Sequence, residues 1–287
     1  MRGTMQTMAN DAFSSCGQLV READRDRFLA LLFAPAAARP QLFALHALDL
    51  ELARVAQAVS GPMPGEIRLQ WWRDVLAGAR AEEAAAHPVA RAFLQLRARC
   101  ALPAPLCARL VDAHAFDLYD EPPAHLADLE AAAEDRFGTL IRLAALVLTG
   151  GRDPAPDRLA AEAGTAQGLV AVLRGFSPEA ARGRIRLPAD ILSQRGVNPD
   201  DILSGRDRPE IREALADLRG AARGHLDAAA VRRQEAPAAI RSMLSPALLP
   251  LSLARAFLDR LDSAPPFAPV EIPAWRRQWI LWRAARG

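Results

Sequence analysis

Arg174, Arg184 and Arg186 fall in one stretch, Ala163–Val197, with the carboxylates Glu179 and Asp190 among them. Guanidinium groups gathered in this way can grip a phosphate or an acidic lipid headgroup through paired hydrogen bonds. The same groups can instead cap the nearby helix end and pair with Glu179 or Asp190. A second group with chemical potential is RLQWWRD, in which Arg68 and Arg73 flank Trp71 and Trp72. Adjacent residues on a helix point about 100° apart, so one indole faces the core and the other is partly exposed; either both pack in the core or one lines a cavity or a partner face. A third is PAWRRQWILWRAAR at the C-terminus. There Trp275, Trp279 and Trp282 recur at i, i+4 and i+7 on one face, and Arg276, Arg277, Arg283 and Arg286 spread over the rest. Such a helix can lie in a membrane interface beside anionic headgroups, or its Trp face can close a bundle.

Metal and nucleophile chemistry is poorly represented. His46 lies on an apolar stretch and reads as a satisfied core histidine, and His114 and His125 have no companions at ligand spacing. Cys16, Cys100 and Cys107 form no CxxC pair and cannot all pair with one another, which points to a reducing compartment and no zinc site.

The elements that must position these groups are helices. Leu42, Leu45, Leu48, Leu52, Val55 and Val59 recur at three and four, so Gln41–Val59 is predicted as a helix with one buried stripe. Further helices are expected over Arg25–Phe33, Glu66–Arg80, Pro88–Cys100, Pro105–Asp120, His125–Leu148 and Glu210–Arg233, and over Ala236–Leu261 with a bend at Pro246 or Pro250. Within the arginine stretch, Gly175 should end a helix begun at Ala163. Ser177-Pro178-Glu179 should cap a new turn, and Pro188 should open a short helix that Gly196 closes. Alternation of β-branched residues is never sustained, so no strand is expected. The fold class is all-α: a single-domain bundle over residues 21–270, preceded by a flexible N-terminus (1–20) and followed by the basic, Trp-rich helix (271–287).

Composition agrees with a globular protein that has ample core: 51% of the 287 residues are hydrophobic and 24% charged. All 36 basic residues are Arg, and a net charge of +2 argues against a nucleic-acid partner. The N-terminal residues lack the apolar core of a signal peptide, and no stretch is long and apolar enough to span a bilayer. A cytoplasmic protein is expected, with peripheral attachment to the inner membrane as the alternative.

The run LRGFSPEAARGRIRLPADILSQRGV resembles the second signature of the squalene/phytoene synthase family. Leu173-Arg174, Gly183-Arg184, Leu187-Pro188, Asp190, Leu192 and Gly196-Val197 match it. At the two aspartate positions of that signature stand Gly175 and Glu179, and at its helical Asn stands Ala171. Phe43–Leu48 resembles the lead-in to the first signature, whose acidic positions fall on Ala53 and Gln57; Asp49 lies one turn earlier on the same face. The resemblance implies an isoprenoid-synthase-type bundle around a central cavity, in which facing carboxylate pairs hold Mg²⁺ against a diphosphate. Of the four acids implied, only Glu179 remains.

Leu52–Val55, Gly65–Asp74, Ala166–Leu169 and Leu173–Gly175 look like the divergent branch of the family that includes the mitochondrial complex I assembly factor with a squalene/phytoene synthase-like domain. That branch implies a non-catalytic scaffold or assembly factor for respiratory complex I, with no cofactor or metal and with a complex I subunit or assembly intermediate as partner. On this reading Arg68, Trp71, Trp72, Arg174 and Arg184 are the ligand-binding residues, for a prenyl or acyl lipid, and Trp275, Trp279 and Trp282 the membrane-interface residues. The enzyme alternative is a Mg²⁺-dependent head-to-head transferase of farnesyl or geranylgeranyl diphosphate. Its reorganised metal site would use Asp49, Asp117 and Glu179.

Overall fold

The structure is a computed structural model that describes the backbone of residues 2–286 and the side chains of residues 12–286. Among the described residues it is all-α, with no strand. None of these helices is long and apolar enough to cross a membrane. The chain forms two compact units.

The first unit comprises Met1–Tyr119, Thr139–Pro156 and Pro237–Leu249. Its helices, numbered in chain order, are α1 (Arg2–Ala23), α2 (Arg25–Leu31), α3 (Arg39–Gln57), α4 (Pro62–Ala77), α5 (Ala81–Ala86), α6 (Pro88–Arg99), α7 (Ala104–Asp112), α9 (Thr139–Leu148) and α14 (Ala238–Leu248), with a 3₁₀ turn at Ala113–Leu118. The α3 helix is the axis of this unit, packed by α1, α4, α6, α9 and the 3₁₀ turn. The expected stripe Leu42, Leu45, Leu48, Leu52 and Val55 is buried, but so are Asp49 among its members and Ala44, His46 and Ala47 beside and beyond it. Neighbours on every side, rather than a one-sided core, bury these extra residues. Each large apolar side chain so buried contributes about 1.5–3 kcal/mol.

The first twenty residues, expected to be flexible, differ from that expectation where their side chains are described. Ala12, Cys16 and Val20 are fully buried at four-residue spacing on α1, which packs on α3 and α6. These residues are few and small, so the apolar stripe they form is weak in the sequence. The α9 helix ends as expected on Gly150 and Gly151, both at positive φ, with the Gly151 amide donating to Leu146 O at 2.7 Å.

The second unit comprises Asp120–Gly138, Asp157–Ala236 and Pro250–Gly287. It contains α8 (Leu126–Ala133), a π-helical turn (Glu134–Gly138), α10 (Asp157–Ala181), α11 (Ala189–Gln194), α12 (Pro199–Leu203), α13 (Pro209–Glu235), α15 (Pro250–Leu261) and α16 (Ala274–Arg286). The central element is α10, which packs on α8, the π turn, α13 and α15 through Leu159, Ala163, Ala166, Leu169, Leu173 and Phe176.

Three expected boundaries are corrected. The α10 helix does not stop at Gly175 but runs to Ala181 with Pro178 inside it. Proline removes only one intrahelical donor this close to the end. Burial of Phe176 and the bond from Ser177 Oγ to Phe267 O (2.9 Å) hold the last turns in place. The single helix expected over His125–Leu148 is instead α8, the π turn and α9. The stretch Ala236–Leu261 is two helices divided before Pro250, with Pro246 accommodated inside α14.

Candidate functional site

Asp49 is fully buried on α3 and is held from two directions. Arg27 on α2 donates from Nη1 to Asp49 Oδ2 at 2.6 Å, and His114 in the 3₁₀ turn places Nε2 3.1 Å from Oδ1. Arg27 is itself fixed by Asp24, which caps α2 by accepting from the Arg27 amide at 2.9 Å and lies 3.3 Å from Nε. Burial alone would weaken the Arg27 charge, but Asp49 and Asp24 outweigh it and raise the guanidinium pKa above its ordinary value. Both oxygens of Asp49 are thus engaged by protein groups.

His46 lies one turn before Asp49 on the same helix. It is buried, as expected of a core histidine, but not fully satisfied, because its Nδ1 has no hydrogen-bond partner among the described residues. Burial first, and then the charge of Arg27, push its pKa down to about 3, against a smaller opposing pull from Asp49. A folded pKa below the unfolded value of about 6.5 means that the unfolded chain binds the proton more tightly. The stabilisation is therefore complete above about pH 6.5 and is lost as pH falls towards 3. In urea titrations between pH 7 and 4.5, His46→Gln should flatten the decline of stability with acidity by up to about 1.4 kcal/mol per pH unit. Equal slopes in the two proteins would contradict this. His225 works in the opposite sense. Burial disfavours its charge, but bonds to Glu162 (2.6 Å) and Glu130 (3.2 Å) more than offset this and raise its pKa, so its contribution is present below about pH 6.5 and is lost as pH rises through the folded value.

In the second unit Glu179 sits amid cations: Arg182 Nη1 is 2.7 Å from one oxygen, and Arg184 and Arg186 lie 3.9 and 4.0 Å from the other. Arg184 also meets Asp120 at 3.1 Å. Arg174 on α10 lays its guanidinium over the Phe257 ring, 3.7 Å from the centroid. Asp190 does not join the arginines; it accepts from the amides of Leu126 (3.2 Å) and Ile191 (2.7 Å). A cavity of about 180 Å³ lies elsewhere in this unit, lined by Leu173, Phe176, Leu215 and Leu261 with Arg212 and Arg219. Both arginines have acidic partners, Asp207 and Asp262.

The RLQWWRD motif and Asp117 lie in the first unit. Trp72 is buried and Trp71 half-buried, with rings 4.9 Å apart and nearly perpendicular. Trp71 Nε1 donates to Glu83 at 2.6 Å and Arg73 Nε to Asp112 at 2.6 Å, so the Trp-Trp motif ties α4 to α5 and α7. Arg68 is exposed and reaches Ala58 O at 3.4 Å. Asp117 is half-buried in the 3₁₀ turn.

These surroundings do not fit a Mg²⁺ ion held against a diphosphate. Such an ion needs carboxylates with free oxygens, whereas Asp49 is committed to Arg27 and His114, and Glu179 to arginines. Among the described residues, no group of three or more His, Cys, Asp or Glu side chains could hold a metal ion. Sequence reasoning missed the Arg27–Asp49–His114 cluster because its members are 22 and 65 residues apart; the only local signal was the Asp24 cap.

Comparison with known proteins gives the lineage. A family model described as squalene/phytoene synthase matches residues 20–283. The human protein named NADH dehydrogenase (ubiquinone) complex I, assembly factor 6 is 30% identical over 211 residues, 74% of this chain. The match spans 63% of the human protein's length. A crystal structure of a dehydrosqualene synthase superposes with a TM-score of 0.79 over 97% of this chain and 96% of its own, at 16% identity. Squalene synthase HpnC from Alicyclobacillus acidocaldarius gives 0.75 over 90% and 96%, at 23% identity. At these identities the two structures speak for the fold.

Proposed function

The chain belongs to the squalene/phytoene synthase family, and from that premise we propose that it is a non-catalytic member, a scaffold that assists assembly of respiratory complex I (NADH:quinone oxidoreductase). The observation that carries this reading is the 30% identity over 74% of the chain to a relative named as a complex I assembly factor. The acid positions support it. Ala53, Gln57 and Gly175 stand where the family resemblance places aspartates, and the remaining acids, Asp49 and Glu179, are neutralised by neighbouring protein groups. Binding without turnover leaves the helical framework as the working part, presenting surfaces to a subunit or an assembly intermediate.

The test is deletion of the gene in the organism that carries it, with native gels of its membranes and NADH:quinone oxidoreductase activity as readouts. Loss of the assembled complex, restored by the gene on a plasmid, is the expected result. An intact complex, together with Mg²⁺-dependent turnover of farnesyl diphosphate by the purified protein, would overturn the proposal in favour of prenyl transfer.

A further inference from the structure

The α16 helix packs on α15 by one face only. Leu281 is buried, and Arg277, Ile280, Ala284 and Ala285 are half-buried beside it. At 100° per residue these side chains centre on the side opposite Trp275, Trp279 and Trp282. The three indoles are accordingly 70, 54 and 38% exposed. Trp279 and Trp282 stack at 5.0 Å, and Arg286 lies over the Trp282 ring at 4.1 Å. The Trp face therefore does not close the bundle, which was the alternative left open by the sequence.

Three indoles held in water on one face lose favourable burial, and contiguous apolar surface of this kind marks an interaction site. Charge selects the occupant. Arg276, Arg277, Arg283 and Arg286 make the helix strongly basic, and it contains no acidic residue. Arg276 and Arg283 flank the indoles on one side, where cations beside a shallowly buried apolar face would meet headgroups. We infer that α16 docks this protein on an anionic bilayer surface, with Trp275, Trp279 and Trp282 at the headgroup level and Arg276 and Arg283 pairing with lipid phosphates. The inference is independent of the assembly reading, since it concerns only where the chain resides.

The test is sedimentation of the full-length chain with vesicles of phosphatidylcholine alone and with one third phosphatidylglycerol. The chain should pellet with the anionic vesicles, with a blue shift of Trp fluorescence, and stay in solution with the neutral ones. The triple variant Trp275→Ala/Trp279→Ala/Trp282→Ala, whose substituted side chains are exposed, should keep its circular dichroism and lose binding. The pair Arg276→Gln/Arg283→Gln should bind about 25-fold more weakly, about fivefold for each charge removed near the surface. Equal pelleting of the triple variant and the parent, or no pelleting of the parent with anionic vesicles, would overturn the inference. So would a dimer in sedimentation velocity that the triple substitution dissolves, since a second copy would then occupy the face.

Discussion

Replacing Asp49 with Ala should destabilise the protein by about 3–5 kcal/mol, read as a shift in the urea midpoint. Removing the carboxylate leaves the largely buried Arg27 guanidinium with only Asp24, 3.3 Å from Nε, as counter-charge and removes the acceptor of His114, and deleting one partner of a buried pair is among the costliest single defects. A double replacement, Arg27→Met with Asp49→Leu, should recover most of the loss, because buried ion pairs exchanged for apolar side chains of similar volume are often neutral. The pair of variants also separates two roles for Asp49. If the residue is structural, the double variant should fold and still support assembly of NADH:quinone oxidoreductase in the deletion strain. If it were a metal ligand, the double variant would be stable yet inactive. Single-variant destabilisation below about 1 kcal/mol would show that the cluster is not the buried ion pair described.

The second large effect is expected at Gly164 on α10. A Cβ there would stand 2.1 Å from Gly138 N, 2.5 Å from Gly138 Cα and 2.7 Å from Phe137 C. All three are backbone atoms of the π turn and its flank, so no side chain can swing aside, and α10 must move off the turn it packs against. Gly164→Ala should therefore cost about 3 kcal/mol, at the upper end of overpacking. Gly220, within α13, is the control: a Cβ there meets nothing within 4 Å. Gly220→Ala should stabilise by about 0.5–1 kcal/mol through helix propensity. If the two substitutions proved equal in sign, the close approach at Gly164 would not exist. The glycine thus permits the contact rather than loosening the helix.

The candidate site was legible only in part. The Leu173-Arg174 to Val197 signature and the Trp-Trp motif identify the lineage; the Trp pair lies on α4 as expected, and the signature runs from the end of α10 through non-helical residues 182–188 into α11. Their contacts were not legible. Glu179 is taken by Arg182, Arg184 and Arg186, whereas Asp190, equally close in sequence to Arg184 and Arg186, accepts from backbone amides instead. Backbone direction at the end of α10 decides between the two acids, and that direction depends on the turn after Ala181. Likewise the spacing on α3 shows one buried stripe and a core His46, but not that Asp49 is buried and paired with Arg27 and His114.

By itself the sequence determined most of the helices beyond α1 and many of their ends, because 3.6-residue periodicity, proline at first turns and glycine at positive φ are local properties that a few neighbouring residues settle. It also determined the basic, Trp-faced character of the last helix. Tertiary structure alone decided that α10 runs through Gly175 and Pro178, that the Trp face of α16 points outward, and that Asp49 meets Arg27 and His114. Each of these outcomes rests on burial by chain segments distant in sequence, and whether a polar group is paired in the interior or left in water depends on which distant segment covers it.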